Sequence, residues 1–280
     1  MSNETENQQT PETCSHNCGS CSSNCGERTE PAKPQMGAGS SVKHVIGVVS
    51  GKGGVGKTLV TCLMASELAK KGFKVGILDA DATGPSIPRA FGVTGPLHSS
   101  EQGIIPAVSS LGVKVMSTNL LLPKEDMPIA WRGPLITGMI EQFYTETYWE
   151  DLDYLLIDMP PGTSDVLLTV LQKLPVESIV TVSAPQELVG MIVGKAVNLA
   201  QQMNVKVTGV VENMAYFVCP NCNEKHYIFG EPQGEEIAKH YNIPSHTTLP
   251  LDPEFARKVD AGKVEEYEMH GELDTIIENL

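Results

Sequence analysis

The stretch GVVSGKGGVGKT, residues 47–58, places two lysines among closely spaced glycines. Its core fits the phosphate-loop spacing G-x-x-x-x-G-K-S/T, with Gly51, Gly53, Gly54, Val55 and Gly56 framing the turn. In such a loop the backbone N–H groups face phosphate oxygens, and the helix that follows adds the partial positive charge of its N-terminus. Lys57 reaches the β- and γ-phosphates and the Thr58 hydroxyl ligates Mg²⁺. Lys57 is therefore expected, whereas Lys52 is surplus to that chemistry. A surplus lysine is often only a solvated charge.

Two further segments carry carboxylates where a phosphate site needs them. LLIDMPPGTSD ends an apolar run at Asp158, from which a carboxylate holds Mg²⁺ through water, and its Pro-Pro-Gly makes a stiff loop beside the γ-phosphate. ILDADATGPSIP ends another run with Asp79 and Asp81, two residues apart and so on one face of an extended chain. One of the two would orient an attacking water. An aspartate at a strand end is commonly a turn or cap residue, but three of them around one phosphate loop point to hydrolysis.

Six of the seven cysteines fall into two groups. Cys219 and Cys222 form C-P-N-C after an apolar run and supply two thiolates, half of what a four-iron cluster or a structural zinc takes. A two-fold dimer would supply the other half, and a redox dithiol is the other reading of the pair. His226 is close enough to suggest a third zinc ligand, although a lone histidine is commonly structural or merely exposed. Cys14, Cys18, Cys21 and Cys25, spaced C-x3-C-x2-C-x3-C, can close around one 4Fe-4S cluster or one Zn²⁺ unaided, and spacing does not separate the two. The seventh, Cys62, lies in an apolar helical stretch and reads as packing.

The elements that must position these residues alternate. HVIGVVS, KVGILDAD, VKVMST, YLLIDMP, SIVTVSA and VKVTGVVENM are short Val- and Ile-rich runs, and helical spacing starts at Lys57, Pro134, Ser164 and Glu187. This predicts an α/β fold of three layers, a mostly parallel sheet with helices on both faces, over residues 41–280. Ligands of such sheets bind at the carboxyl ends of the strands, where the motifs above fall. After Met214 the pattern breaks into AYFVCPNCNEKHYIFG, a helix around Glu235–His240, the strand-like SHTTLPL and acidic helical segments. Residues 1–40 contain no Val, Ile, Leu, Phe, Tyr or Trp and read as a flexible, cysteine-containing tail.

Composition narrows the function. Twenty basic against 34 acidic residues give a formal net charge of −14, which argues against nucleic acid as a partner. No apolar run is long enough to span a bilayer, and MSNETENQQT has neither the basic start nor the apolar centre of a signal peptide. A cytoplasmic location follows as an expectation, and in a reducing compartment closely spaced cysteines favour metal or redox roles.

These motifs carry a resemblance. GKGGVGKT, with its early lysine, resembles the deviant Walker A loop of the family that includes the division-site protein MinD, the partition ATPases and the arsenite-pump ATPase. The resemblance implies a P-loop NTPase fold, ATP as the nucleotide, and a homodimer in which Lys52 reaches the nucleotide of the other subunit. DADATGPSIP, WRGP (Trp131–Pro134), DMPPGTSD, SAPQELV, VENM and CPNC together are similar to the Mrp (ApbC) family of iron-sulfur cluster carriers, over about residues 41–270. That similarity implies an ATPase whose Cys219 and Cys222 bridge a labile 4Fe-4S cluster between subunits and pass it to apo iron-sulfur proteins. It also implies that Asn213 recognises adenine and that the chain after Leu249 helps enclose the base. The tail cysteines are similar in placement to the N-terminal cluster site of longer members, with narrower spacing on both sides of the central C-x2-C. Ser164 stands where the family often has glycine.

The alternative is a spatial regulator of the MinD or partition type, whose output is binding to membrane or DNA. Those outputs want a basic amphipathic terminus or a basic face. HGELDTIIENL is acidic, so neither a membrane nor a nucleic-acid partner is expected.

Overall fold

The computed structural model describes residues 33–81, 84, 86–122, 133–162, 165–185 and 189–280. Cys14, Cys18, Cys21, Cys25, Trp131 and Ser164 lie outside the described residues. The first half of the chain runs β1 (Ser41–Ser50), α1 (Lys57–Lys70), β2 (Val75–Asp79), α2 (Ile87–Ala90), β3 (His98–Ser100), β4 (Gly103–Ile105), β5 (Ala107–Val108), β6 (Lys114–Met116) and α3 (Gly133–Glu146). The second half runs β7 (Asp151–Asp158), α4 (Asp165–Lys173), β8 (Ser178–Ser183), α5 (Val189–Gln202), β9 (Lys206–Val218), β10 (Lys225–His226), α6 (Gly234–Tyr241), β11 (Ser245–Pro250), α7 (Pro253–Asp260) and α8 (Asp274–Ile277). Each Val- and Ile-rich run of the sequence is a strand, and SHTTLP is β11.

Among the described residues nine strands form one sheet in the order β10-β9-β8-β1-β7-β2-β6-β5, with β11 also on β9. Pairing is parallel from β9 through β6 and between β11 and β9, and antiparallel only at the short β5 and β10. β1 is central, and Val45–Ser50 are all buried. A strand covered on both faces has no polar side to present, which is why the run is apolar without a break. The period of two still sorts its side chains. Ile46 and Val48 pack with α1 residues Val60, Leu63, Met64 and Leu68, and with Ile276 of α8. Val45 and Val49 pack on the opposite face with Phe143 of α3, Leu171 of α4 and Ala200 of α5. Helices on both faces of a mostly parallel sheet give the three layers the alternation implies.

This topology gathers the chemistry at one edge of the sheet. The ends of β1, β7 and β2 are neighbours, with Val48 level with Asp158 and Asp158 level with Asp79. β8 alone separates β1 from β9, so Asn213 approaches the same loop from the other side.

The segment before β1 differs from the expectation that residues up to 40 form a tail. Met36 packs against the α3 and α4 side of the core, and the Ser40 hydroxyl accepts from the Trp149 N–H at 3.0 Å. Gly37 lies so close to the Thr145 carbonyl that a Cβ there would meet it at 2.9 Å. One methionine and a serine suffice to seat a segment that lacks larger apolar residues. Deleting residues 1–32 should therefore leave thermal stability unchanged, whereas deleting 1–40 should lower it by about 1–2 kcal/mol through lost burial and hydrogen bonding. Denaturant unfolding of the two truncated proteins checks this, and equal stability would place the whole segment outside the fold.

Candidate functional site

The loop between β1 and α1 turns on glycines held at positive φ, 82° at Gly54 and 78° at Gly56. A Cβ on Gly56 would run into the Asn213 carboxamide, so both backbone conformation and space require glycine there. No side chain caps the start of α1, and its first turn has no acidic residue. The first-turn N–H groups are thus left for an anion. Beside them lies a cleft of about 190 Å³ lined by Ser50, Gly53, Gly54, Lys57, Thr58 and Asp81, among others.

Behind the cleft is a buried cluster of charge. Asp158 is fully buried and accepts from Lys57 Nζ at 2.7 Å, Thr58 Oγ1 at 2.7 Å and Thr61 Oγ1 at 2.9 Å. Lys57 Nζ also stands 4.0 Å from Asp81 Oδ2. Asp79 is also buried and accepts from the Ser117 hydroxyl at 2.9 Å and from the Asp81 N–H at 3.2 Å. Burial first, and the Asp158 charge second, push the Asp79 carboxyl well above the usual carboxylate range. The two aspartates of ILDAD therefore differ: Asp81 lines the cleft, and Asp79 lies beneath it. Thr58 lines the cleft and its Oγ1 donates to Asp158 Oδ2 just behind it, a pair of hard oxygen donors that fits Mg²⁺.

Lys52 is exposed on the loop. Asn213, nearly buried, donates from Nδ2 to the Val55 carbonyl at 3.0 Å and so braces the phosphate loop from the β9 side. Its neighbour Glu212 is wholly buried and accepts from the N–H groups of Gln233 and Gly234, anchoring the start of α6. Thr61, Ser117 and Glu212 escaped the motif reading. Thr61 alone had a sequence signal, since it sits one helical turn after Lys57.

Farther along β9, Cys219 and Cys222 occupy a hairpin turn closed by Cys219 N–H to Glu224 O at 2.9 Å and Asn223 N–H to Cys219 O at 2.8 Å. β10 returns antiparallel with His226 level with Phe217. The ligand atoms of Cys219, Cys222 and His226 lie within 4.8 Å of one another. Cys219 is half-buried and Cys222 exposed. The Asn221 and Cys222 N–H groups, aided by the Cys222 side chain, hold the Cys219 thiol below its ordinary value, toward the thiolate that binds metal. Cys62, by contrast, is buried in the core, where burial pushes its thiol well up.

A glycine loop, an uncapped helix start and a buried lysine with a strand-end aspartate define a nucleotide-binding P-loop protein, here with the extra early lysine of the deviant Walker A type. The chain belongs to the family described as ParA: NUBPL iron-transfer P-loop NTPase, whose model matches residues 41–280. It is 47% identical over 267 residues to an iron-sulfur cluster carrier protein of Clostridium perfringens, covering 92% of each chain. It is 43% identical over 244 residues to the cytosolic Fe-S cluster assembly factor CFD1 of Chaetomium globosum, covering 81% of this chain and 80% of that one. Among solved structures it matches a nucleotide-binding protein of Archaeoglobus fulgidus in complex with ADP with a TM-score of 0.75 and 48% identity, covering 81% of this chain and 90% of that one.

The raised Asp79 carboxyl has a measurable consequence. The folded protein holds this proton more tightly than the unfolded chain, so its contribution to stability is complete at acid pH and is lost as pH rises through the folded value. In Asp79→Asn the oxygen keeps the Asp81 N–H and the amide can donate to the Ser117 hydroxyl. This variant should melt above the parent at mildly alkaline pH, with the gap closing as pH falls. A gap that is the same at every pH would show that Asp79 is ionised in the fold.

Proposed function

We propose that this protein is an ATP-hydrolysing iron-sulfur cluster carrier that works as a homodimer in the cytoplasm. The observation that supports the reading is that β9 links the two candidate sites, since its Asn213 braces the phosphate loop and its end at Val218 leads directly into Cys219 and Cys222. No helix among the described residues is long and apolar enough to cross a membrane.

ATP would enter the cleft above α1, where Lys57 exchanges its Asp158 contact for the β- and γ-phosphates. Thr58 and Asp158 would hold Mg²⁺, which neutralises phosphate charge when bound. Asp81 at the cleft orients the attacking water, and Asp79 positions Asp81 through its N–H. Water attacks the γ-phosphorus, the bond to the bridging oxygen breaks, and ADP and phosphate leave. With Nδ2 held by Val55, Asn213 offers Oδ1 to the amino group of adenine. The chain after Leu249 helps enclose the base.

In the dimer, Lys52, exposed on the loop, would reach the nucleotide of the second subunit. Val218, Tyr227, Ile228 and Phe229 expose 39–57% of their surface around the cysteine pair, an apolar rim suited to a second copy of the chain. The cargo is a 4Fe-4S cluster held by two cysteines from each subunit and passed to apo iron-sulfur proteins. Cys14, Cys18, Cys21 and Cys25 form a second site in the tail, for a cluster or Zn²⁺.

The test uses the full chain with the four tail cysteines changed to serine, reconstituted anaerobically with iron and sulfide. One 4Fe-4S cluster per two chains is expected, with dimeric mass, and none in Cys219→Ser or Cys222→Ser. A complete cluster on each monomer would overturn the bridging assignment. In the nucleotide site, Lys57→Ala should reduce ATP hydrolysis by about 100- to 1,000-fold with the fold intact. Lys52→Ala should lower hydrolysis while leaving much of the nucleotide affinity of the monomer. Mixed dimers of the two variants should then restore one working site; if they behave as independent half-sites, Lys52 does not act across the interface.

A further inference from the structure

We infer that His226 completes a Cys₂His site that binds a single thiophilic divalent cation within one chain. The inference requires neither the cluster nor the dimer proposed above, only that the thiols of the hairpin meet a metal. Three features carry it. The hairpin sets all three donor atoms within 4.8 Å of one another without help from a second subunit. Tetrahedral zinc with the usual Zn–S and Zn–N lengths places its ligand atoms about 3.5–3.8 Å apart. Cys222 and His226 are exposed, so rotation of their side chains can close the remaining gap without moving core atoms.

Second, the backbone is already fixed in the form such a site needs. Cys219 and Glu224 are joined across the turn, Asn223 adopts the left-handed φ of 59°, and its N–H donates to the Cys219 carbonyl. β10 then pins the histidine, because Lys225 and His226 pair with Val218 and Phe217. Lys225 Nζ lies 4.1 Å from the centre of the Tyr216 ring, which fastens the return strand to β9 from its side chains as well.

Third, the donors select the class of ion. Two thiolates and an imidazole suit Zn²⁺, Co²⁺ or Fe²⁺ and not Mg²⁺ or Ca²⁺, which want oxygen. Three protein ligands leave the fourth position to water or an incoming thiolate, as in open rather than closed sites. Two chains together then present six donors, where a four-iron cluster takes four. His226 is the donor in excess, so one chain can keep a metal at the cysteine pair when no cluster bridges it.

The experiment is a Co²⁺ titration of the full-length apoprotein carrying serine in place of the four tail cysteines, without sulfide and in competition with a chelator, followed by displacement with Zn²⁺. One Co²⁺ per chain is expected, with thiolate-to-cobalt charge transfer and the visible bands of tetrahedral cobalt. His226→Ala should weaken binding by about a hundredfold or more, because even losing a group that only orients a ligand costs roughly ten- to a hundredfold. His226→Cys should restore tight binding with stronger charge transfer. Unchanged nucleotide binding would show that these exposed substitutions leave the fold intact. Unchanged affinity and spectrum in His226→Ala would overturn the assignment, as would saturation at one Co²⁺ per two chains, the signature of cysteines shared between subunits. Neither result bears on whether iron and sulfide assemble a bridging cluster.

Discussion

Asp158 is fully buried at the end of β7 and accepts hydrogen bonds from Lys57, Thr58 and Thr61, so one carboxylate fastens the first turn of α1 to the sheet. Removing one partner of a buried ion pair leaves the other charge stranded, at a cost of about 3–5 kcal/mol. The pair therefore gives the loop a defined resting arrangement. It also sets what an incoming anion must do. Phosphates that draw Lys57 away have to offer it equal compensation, and Asp158 must then meet another cation. A buried lysine flanked by carboxylates thus favours a ligand that brings negative charge and a metal together over one that brings either alone.

The same constraint explains why two aspartates spaced for one face end in different environments. Asp79 is level with Asp158 in the sheet, and two ionised carboxylates there would share one buried lysine. Raising the affinity of Asp79 for its proton relieves that repulsion, and Ser117 supplies a neutral partner. Asp81, beyond the end of β2, escapes the squeeze and stays beside the cleft. Position along the strand therefore separates a supporting group from one that can reach the substrate.

Much of this was legible in the sequence because parallel strands leave a strong local mark. HVIGVVS, YLLIDMP and VKVTGVVENM are apolar enough to be buried on both faces, and the glycine loop announces the helix that follows it. Contacts between distant elements left no such mark. Ser117 meets Asp79 only because β6 lies beside β2, and Glu212 meets the start of α6 only after the hairpin has folded back. His226 was ambiguous for the same reason. Its spacing allowed a ligand, but whether its side chain joins the thiols depends on the pairing of β10 with β9. The beginning of the body at residue 33 rather than 41 turned on Met36 and Ser40, ordinary residues whose partners are more than a hundred positions away.

β9 is the element that links the phosphate loop to the cysteine hairpin. It runs for 13 residues from Lys206, carries Asn213 against the phosphate loop, and reaches the hairpin beyond Val218. At Met214 the backbone takes a left-handed φ of 54°, and near Tyr216 the pairing with β11 shifts register. A non-glycine residue held in that region costs about 1–3 kcal/mol and persists only where its surroundings enforce it. The irregularity falls between Asn213, which touches the phosphate loop, and Cys219. Ile276 and Ile277 of α8 are buried in the core. Their apolar surface is already used to hold the sheet. Val218, Tyr227, Ile228 and Phe229 are exposed on either side of the thiols, so the hairpin beyond β9 carries both apolar surface and the clustered donor atoms of Cys219, Cys222 and His226.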